Sequence, residues 1–135
     1  MSDFRARSFD APRERPAPRV LNGKTPDGGE RHVELLRTTL VVAVKPDCDG
    51  CRDFLFSDLH ELSDVDVVVV SAVSSDEWAD TPNDVLIAPE LMNELDIRSA
   101  PFYVLIDPNS LRVVTEGVVF GPSQVAAEIA DSLTS

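Results

Sequence analysis

The sequence has no long hydrophobic run and very few histidines. Its longest apolar stretches, such as residues 67–70, fall far short of the roughly 20 residues that a membrane-spanning helix requires. The opening segment MSDFRARSFD carries charges without a following apolar stretch, so the sequence predicts no secretory signal. The two histidines, His32 and His60, do not lie at the ligand spacing of a zinc finger. We therefore predict no membrane span, no metal and no other cofactor.

Positive charge is also scarce. Lysine and arginine total 12 against 24 acidic residues, which gives a formal net charge of −12 at pH 7. Residues 1–32 carry a net +2, so the remainder carries −14. An acidic domain repels nucleic acid and anionic membranes at long range, so we predict neutral or basic protein partners and no nucleic acid. For most of the acidic side chains the plainer interpretation is that they hydrate a soluble surface.

The only two cysteines, Cys48 and Cys51, lie where an apolar run over residues 39–44 gives way to a helical pattern. Thiols at this spacing on a first helical turn can close a small ring, and the free amides there favour a thiolate on the leading sulfur. So short a ring stabilises a fold little, which favours a reversible dithiol over a structural staple. A metal half-site, shared between two copies of the chain, and an inert pair stay open as alternatives.

Without a secretory signal, the expected location is the cytoplasm. Glutathione and thioredoxin systems keep thiols reduced there, so a paired cysteine is expected to cycle rather than stay oxidised. A CxxC segment beside a strand–helix–strand unit in such a chain is most often redox-active. We therefore predict a redox-active disulfide with a part in cell redox homeostasis.

The chain divides into an arm and one domain. Residues 1–18 hold three prolines among arginines and few large apolar side chains, which predicts a flexible arm. Alternatively, this arginine-rich arm docks on a partner or on the acidic domain itself. Residues 19–135 are sufficient for one domain with one core.

The first half of the domain shows strand and helix patterns in turn. Residues 39–44 and 65–72 are apolar, β-branched runs typical of strands that are buried on both faces. The helical pattern between them ends at residues 63–64, and this order predicts a parallel pair. Ahead of these strands, residues 20–21 predict a short edge strand, and residues 30–36, after a turn, a short helix.

The second half predicts an acidic loop, a short helix, an antiparallel hairpin and a closing helix. In that order they cover residues 74–84, 89–95, 102–119 and, after a break at residues 121–123, residues 125–133. Pro89 suits the first turn of a helix. Val125, Ile129 and Leu133 recur at four-residue spacing, as in a helix that covers a sheet. For Trp78, in the acidic loop, a core position is favoured over a place beside a binding surface.

This order of elements resembles the thioredoxin fold over residues 38–133. The resemblance is carried by CDGC at residues 48–51, by LDIRSAPFYVLI at residues 95–106, and by Gly121 before the last helix. It implies an α/β fold, a three-layer α/β/α sandwich with a central mixed sheet, here with a flexible N-terminal extension. It also implies a thiol-disulfide oxidoreductase that acts on a protein partner.

The resemblance assigns roles to four residues. Cys48 would be the attacking thiol and Cys51 the resolving thiol. Pro101 would be in cis beside the sulfurs, with the backbone of Ala100 free to pair with an extended substrate. From the residues alone Pro101 would be trans, because only about 5–6% of X-Pro bonds in folded proteins are cis.

Three positions depart from the family pattern. Asp47 replaces the usual tryptophan, Val42 a buried carboxylate, and Gly50 the proline between the cysteines. Since Val42 cannot relay a proton, Cys51 would lose its proton to water or to a surface acid, for which Asp49 is the candidate.

The charges around Cys48 act in opposite directions. Asp47 and Asp49 disfavour its thiolate, whereas Lys45 and Arg52 favour it. Because a strongly stabilised thiolate makes a dithiol a potent oxidant, the mixed charges predict a reducing or near-neutral potential.

The leading prediction is exchange of the Cys48–Cys51 pair with a protein disulfide. The alternative is a thioredoxin-fold binding or assembly module within a larger oxidoreductase complex, with little catalysis of its own. Peroxidase chemistry ranks last, because Lys45 stands where peroxiredoxins carry threonine. His60 is interpreted as an exposed helix residue, and Tyr103 as a packing residue.

Overall fold

The computed structural model describes residues 15–134, and a seven-stranded mixed sheet runs through that part of the chain. The strands are β1 (Val20–Lys24), β2 (Glu30–Glu34), β3 (Thr39–Val44), β4 (Asp66–Ser71), β5 (Val85–Ile87), β6 (Phe102–Asp107) and β7 (Arg112–Val118). They lie in the order β2-β1-β5-β4-β3-β6-β7. Strand β3 lies between β4, to which it is parallel, and β6, to which it is antiparallel. Because it has a neighbour on each side, its carboxyl end lies in the interior of the sheet rather than at an edge.

Helices cover both faces of the sheet. Helices α1 (Asp49–Leu55) and α3 (Pro122–Thr134) pack on one face, and α2 (Pro89–Glu94) packs on the other. Successive side chains of β3 alternate between the two faces, so Val42 contacts the first layer and Val41 the second. All six residues of β3 are buried, as its continuous apolar run predicts. The predicted three-layer sandwich with a central mixed sheet is confirmed.

Most of the predicted elements are present. Strands β3 and β4 pair in parallel, β6 and β7 form the predicted antiparallel hairpin, and α2 begins at Pro89. Val125 and Ile129 of α3 are 0% and 1% exposed, because the apolar face of this helix covers the sheet. Trp78 is 4% exposed and its indole Nε1 donates to the Val73 carbonyl at 3.0 Å, so the core interpretation is correct.

The helix predicted over residues 30–36 is wrong, because residues 30–34 form β2. Gly28, with φ of 98°, closes the turn before β2, and the strands on either side pair from Val20↔Glu34 to Lys24↔Glu30. Cross-strand pairing therefore overrides the helix propensity of this segment. Strand β1, predicted as an edge, lies between β2 and β5, and β5 itself was not predicted.

The helix that follows the cysteines is shorter than predicted. It ends at Leu55, and the rest of the predicted helix contains only a short 3₁₀ turn, His60–Leu62. The carbonyl of Leu55 accepts a hydrogen bond from Asn83 Nδ2 at 2.8 Å, so a distant side chain satisfies a backbone group at the helix end. His60 is exposed, as predicted, but it lies on the 3₁₀ turn rather than on α1.

The predicted flexible arm extends too far along the chain. Residues 15–17 pack against β7, where Pro16 forms a bridge with Arg112 and the Ala17 amide donates to Leu111 O at 2.8 Å. The guanidinium of Arg15 forms an ion pair with Glu116, with Nη2 2.5 Å from Oε1, and its Nε donates to the Leu95 carbonyl at 2.6 Å. These contacts hold residues 15–17 on the domain, so its boundary lies before residue 18. Residues 1–14 of the predicted arm lie outside the described residues.

Tyr103 is a packing residue, as predicted. It is 1% exposed on β6, opposite Val42, and it belongs to the same apolar cluster as Cys51. Its hydroxyl donates to Glu128 Oε1 of α3 at 2.7 Å, so the polar tip of a buried ring has a partner. This bond ties the central sheet to the closing helix.

Alkaline pH is expected to destabilise the protein through Tyr103. Burial, reinforced by the bond to Glu128, raises the pKa of Tyr103 above its ordinary value of 10.0. The unfolded chain therefore loses this proton first, so the contribution is fully present below about pH 10 and is lost as the pH rises further. Tyr103 is the only tyrosine, so phenolate absorbance reports this group alone.

The matched variant is Tyr103→Phe. Its free energy of unfolding is expected to be about 1 kcal/mol lower than that of the wild type at neutral pH, because one hydrogen bond is lost. As the pH rises above about 10, its stability is expected to fall less steeply than that of the wild type. Urea unfolding across pH, followed beside the absorbance titration, measures both effects. An ordinary phenol titration in the folded protein would contradict the expectation.

Candidate dithiol site

The site lies where β3 ends and α1 begins. Asp47 takes a left-handed conformation, with φ of 57°, and reverses the chain just before the cysteines. Cys48 then caps α1 from an extended conformation, with φ of −128° and ψ of 111°, and its carbonyl accepts from the Arg52 amide at 3.0 Å. The turn at residues 45–47 thus places the leading sulfur at the first turn of a helix, as the sequence predicts.

The two sulfurs form a disulfide, and their environments differ. The Cα atoms of Cys48 and Cys51 are 5.2 Å apart, within the range of a disulfide. Cys48 is partly exposed, whereas Cys51 is 0% exposed in the apolar cluster beneath it. The Cys51 amide donates to Cys48 Sγ at 3.2 Å, a bond that would stabilise a thiolate there. Cys48 is therefore partly accessible to solvent, whereas Cys51 is shielded from it.

Pro101 lies directly against this turn. The Ala100–Pro101 peptide is cis, as the resemblance implies. A Cβ atom added to Gly50 would come within 3.3 Å of Pro101 Cγ, tighter than ordinary contact, so glycine between the cysteines allows the proline ring to approach. Ala100 and Pro101 are both partly exposed. Pro101 therefore lies against the segment that carries the two cysteines.

The predicted charged neighbours are all near the site but mostly face solvent. The Asp49 side chain is fully exposed, and its nearest cation is Arg52, 3.9 Å away. Lys45 and Asp47 are also exposed. The structure therefore does not bring Asp49 to the buried sulfur, and its role as a proton acceptor for Cys51 stays a prediction.

Val42 leaves the interior beneath the cysteines without a carboxylate. It is 0% exposed and lies in the apolar cluster that contains Cys51. Among residues 15–133 no acidic side chain is buried, and apart from the aromatic residues Trp78 and Tyr103 the only buried polar side chains are those of Thr39 and Ser71. The interior around Cys51 therefore offers no described carboxylate as a proton acceptor.

Sequence analysis missed one residue of the site, Glu77. Its carboxylate accepts from the Asp47 amide at 3.0 Å and from the Arg52 guanidinium at 3.3 Å. These contacts, the Asp47 amide first among them, lower the pKa of Glu77 below its ordinary value. No local signal could have identified Glu77, since it stands among several acids in a loop 30 residues from Asp47.

The described residues contain neither a candidate metal site nor a candidate membrane-spanning helix. From residue 15 to residue 134, no cluster of three histidine, cysteine or acidic side chains is arranged to hold a metal ion. No described helix combines the length and apolar character needed to span a bilayer.

The sheet order, the helices on both faces, and the cis proline against a CxxC turn define a thioredoxin-like fold. Three solved structures share this fold with the chain. They are a Chlorobium tepidum protein provisionally named thiol:disulfide interchange protein DsbE, MTB DsbF in mixed oxidised and reduced forms, and StoA from Bacillus subtilis.

The likeness covers most of each chain but is remote in sequence. For DsbE the TM-score is 0.65 at 18% identity, over 92% of this chain and 97% of the other. For DsbF and StoA the TM-scores are 0.62 and 0.61, both at 18% identity and over 84% of this chain, with 94% and 98% of theirs. No protein-family model and no curated protein matches the sequence.

Proposed function

We propose that this protein is a thiol-disulfide oxidoreductase that exchanges its Cys48–Cys51 pair with a protein partner. One observation carries the proposal: a partly exposed Cys48 is bonded to a fully buried Cys51, with Pro101 against the same turn. An accessible sulfur beside a protected one suits a two-step exchange, in which only the first sulfur meets the substrate. The likeness to solved structures named for this chemistry supports the same proposal.

In the first step the Cys48 thiolate attacks one sulfur of a substrate disulfide. A mixed disulfide forms, and the other substrate sulfur leaves as a thiolate and takes up a proton. Cys51 then loses its proton and attacks Cys48 Sγ, which releases the second substrate sulfur as a thiol. Two electrons pass from the protein dithiol to the substrate disulfide, and the reverse sequence oxidises a substrate dithiol.

The surface beside Pro101 supports a protein rather than a small molecule as substrate. The carbonyl of Pro101 accepts from the Val119 amide at 3.0 Å, which brings the end of β7 to the site. Next to this bond, Phe120 is 84% exposed and Val118 is 47% exposed. An exposed phenylalanine is a candidate anchor for a partner chain that lies along Ala100 and Pro101. The acids at positions 47, 49 and 77 favour a neutral or basic partner.

The test compares two disulfides. The reduced protein is expected to reduce both oxidised glutathione and a disulfide in an unfolded model protein, with loss of two protein thiols per substrate disulfide. The Phe120→Ala variant is expected to react with glutathione as the wild type does and several-fold more slowly with the protein. Leu36→Ala, which removes a side chain that is 75% exposed, is the matched control. A dithiol that transfers no electrons to either disulfide would falsify the proposed function.

The alternative function is a binding module with little exchange activity. The same exposed Phe120, together with the absence of a buried carboxylate among the described residues, favours it. It requires a stable partner that binds with or without the cysteines.

The cytoplasmic location also stays a proposal, which cell fractionation tests.

A further inference from the structure

One side chain of the loop between β4 and β5 reaches both ends of the CxxC segment. Glu77 Oε2 accepts from the Asp47 amide, on the residue before Cys48, and Glu77 Oε1 accepts from Arg52, on the residue after Cys51. The donor–acceptor distances are 3.0 Å and 3.3 Å. A single carboxylate is therefore hydrogen-bonded to the residues on both sides of the cysteine pair.

Glu77 is presented by a well-anchored turn rather than by a loose surface loop. The residue lies in a 3₁₀ turn, Asp76–Trp78, that is capped by Ser75 Oγ, which accepts from the Glu77 amide at 3.1 Å. The next residue, Trp78, is buried in the core. The Glu77 side chain itself is 28% exposed. The core thus determines where this carboxylate stands relative to the cysteines.

We propose that Glu77 is a positioning residue of the dithiol, which holds the turn before Cys48 and makes the pair more reducing. This inference rests on the proposed function. The hydrogen bond to the Asp47 amide supports the left-handed turn that aims Cys48 outward. The negative charge, next to the residue that precedes Cys48, opposes formation of the Cys48 thiolate.

Two other carboxylates near Cys48 act in the same direction as Glu77, and the two nearby cations are exposed or paired. Asp47 and Asp49 also oppose the thiolate, and Lys45 is exposed at the end of β3. Arg52, the cation on α1, meets Glu77 at 3.3 Å and Asp49 at 3.9 Å, so its charge is shared with carboxylates. Removal of the Glu77 charge takes away one opposing group and releases Arg52 toward the sulfur. Both changes stabilise the thiolate, and hence the reduced form.

The experiment uses Glu77→Gln, which removes the charge but keeps an oxygen that can accept from the Asp47 amide. Asp76→Asn is the matched control, because it removes the same charge from the neighbouring exposed residue of the same turn. The equilibrium of each full-length protein with reduced and oxidised glutathione is measured, together with the pH dependence of Cys48 alkylation. Glu77→Gln is expected to shift the equilibrium roughly threefold to tenfold toward the reduced protein and to move the alkylation profile to lower pH.

The control and a second variant separate the possible outcomes. Asp76→Asn is expected to stay within about twofold of the wild type in both measurements, since its carboxylate is exposed. Equal shifts in Glu77→Gln and Asp76→Asn would overturn the role of the Glu77 charge. Glu77→Ala lacks the hydrogen-bond acceptor. It is expected to exchange its disulfide with glutathione at least about threefold more slowly than Glu77→Gln at the same pH. Equal rates would overturn the positioning role. If the wild type itself fails to equilibrate with glutathione, the proposed function fails instead.

Discussion

A Cys51→Ser variant is expected to accumulate mixed disulfides with cell proteins, whereas a Cys48→Ser variant is expected to accumulate almost none. The difference follows from exposure, because Cys48 is open to solvent in part and Cys51 is 0% exposed. Without Cys51, a substrate that Cys48 has captured cannot be released by the second step. Without Cys48, the remaining sulfur is shielded by the core, and turnover of any protein disulfide is lost.

Each variant serves as the other's control in the trapping experiment. Both lack the disulfide, so a difference in trapping does not reflect the loss of a crosslink. Captured proteins are separated without reductant and identified by mass spectrometry after reductant releases them. Equal capture by the two variants would show that the proposed order of attack is wrong. Capture by neither variant, with one partner bound in the absence of both sulfurs, would favour the binding module.

The layers of the fold follow from patterns that are local in the sequence. Strands β3 and β4 are continuous apolar runs because both faces are covered, and that pattern is visible without knowledge of their neighbours. Strand β2 was not predictable in this way, because its alternation of exposed and partly exposed residues makes sense only beside β1. The Leu55 carbonyl at the end of α1 likewise has its hydrogen-bond partner far away in the sequence, in Asn83, 28 residues later.

The candidate site likewise combines a motif that is local in the sequence with contacts between distant residues. The CxxC motif is complete within residues 48–51, and the resemblance adds Pro101, which lies against Gly50. The other contacts of the site join residues that are far apart in the chain. Gly50 lies against Pro101, and Glu77 accepts a hydrogen bond from the Asp47 amide. Local composition cannot distinguish Glu77 from Asp76, although among the described contacts only Glu77 of the two is hydrogen-bonded to the residues that flank the CxxC segment.

The second large expected effect concerns two phenylalanines at the end of α1. Phe54 is 1% exposed and packs in the same cluster as Cys51, whereas Phe56 is 54% exposed. Phe54→Ala is expected to cost about 3–5 kcal/mol of unfolding free energy, because it leaves a cavity beneath the helix that carries the cysteines. Phe56→Ala, with the same change in composition, is expected to stay within about 0.5 kcal/mol of the wild type.

Urea unfolding of both variants measures the difference. A typical domain is stable by only about 5–15 kcal/mol, so Phe54→Ala would leave a small margin and shift the urea midpoint strongly. Because Phe54 and Cys51 share one face of α1, loss of the ring also loosens the helix that shields Cys51, and alkylation of Cys51 in the reduced variant should become faster. Equal losses in the two variants would contradict the placement of α1 against the sheet. A large loss with unchanged Cys51 protection would mean that other contacts, such as those of Leu55, hold the helix in place.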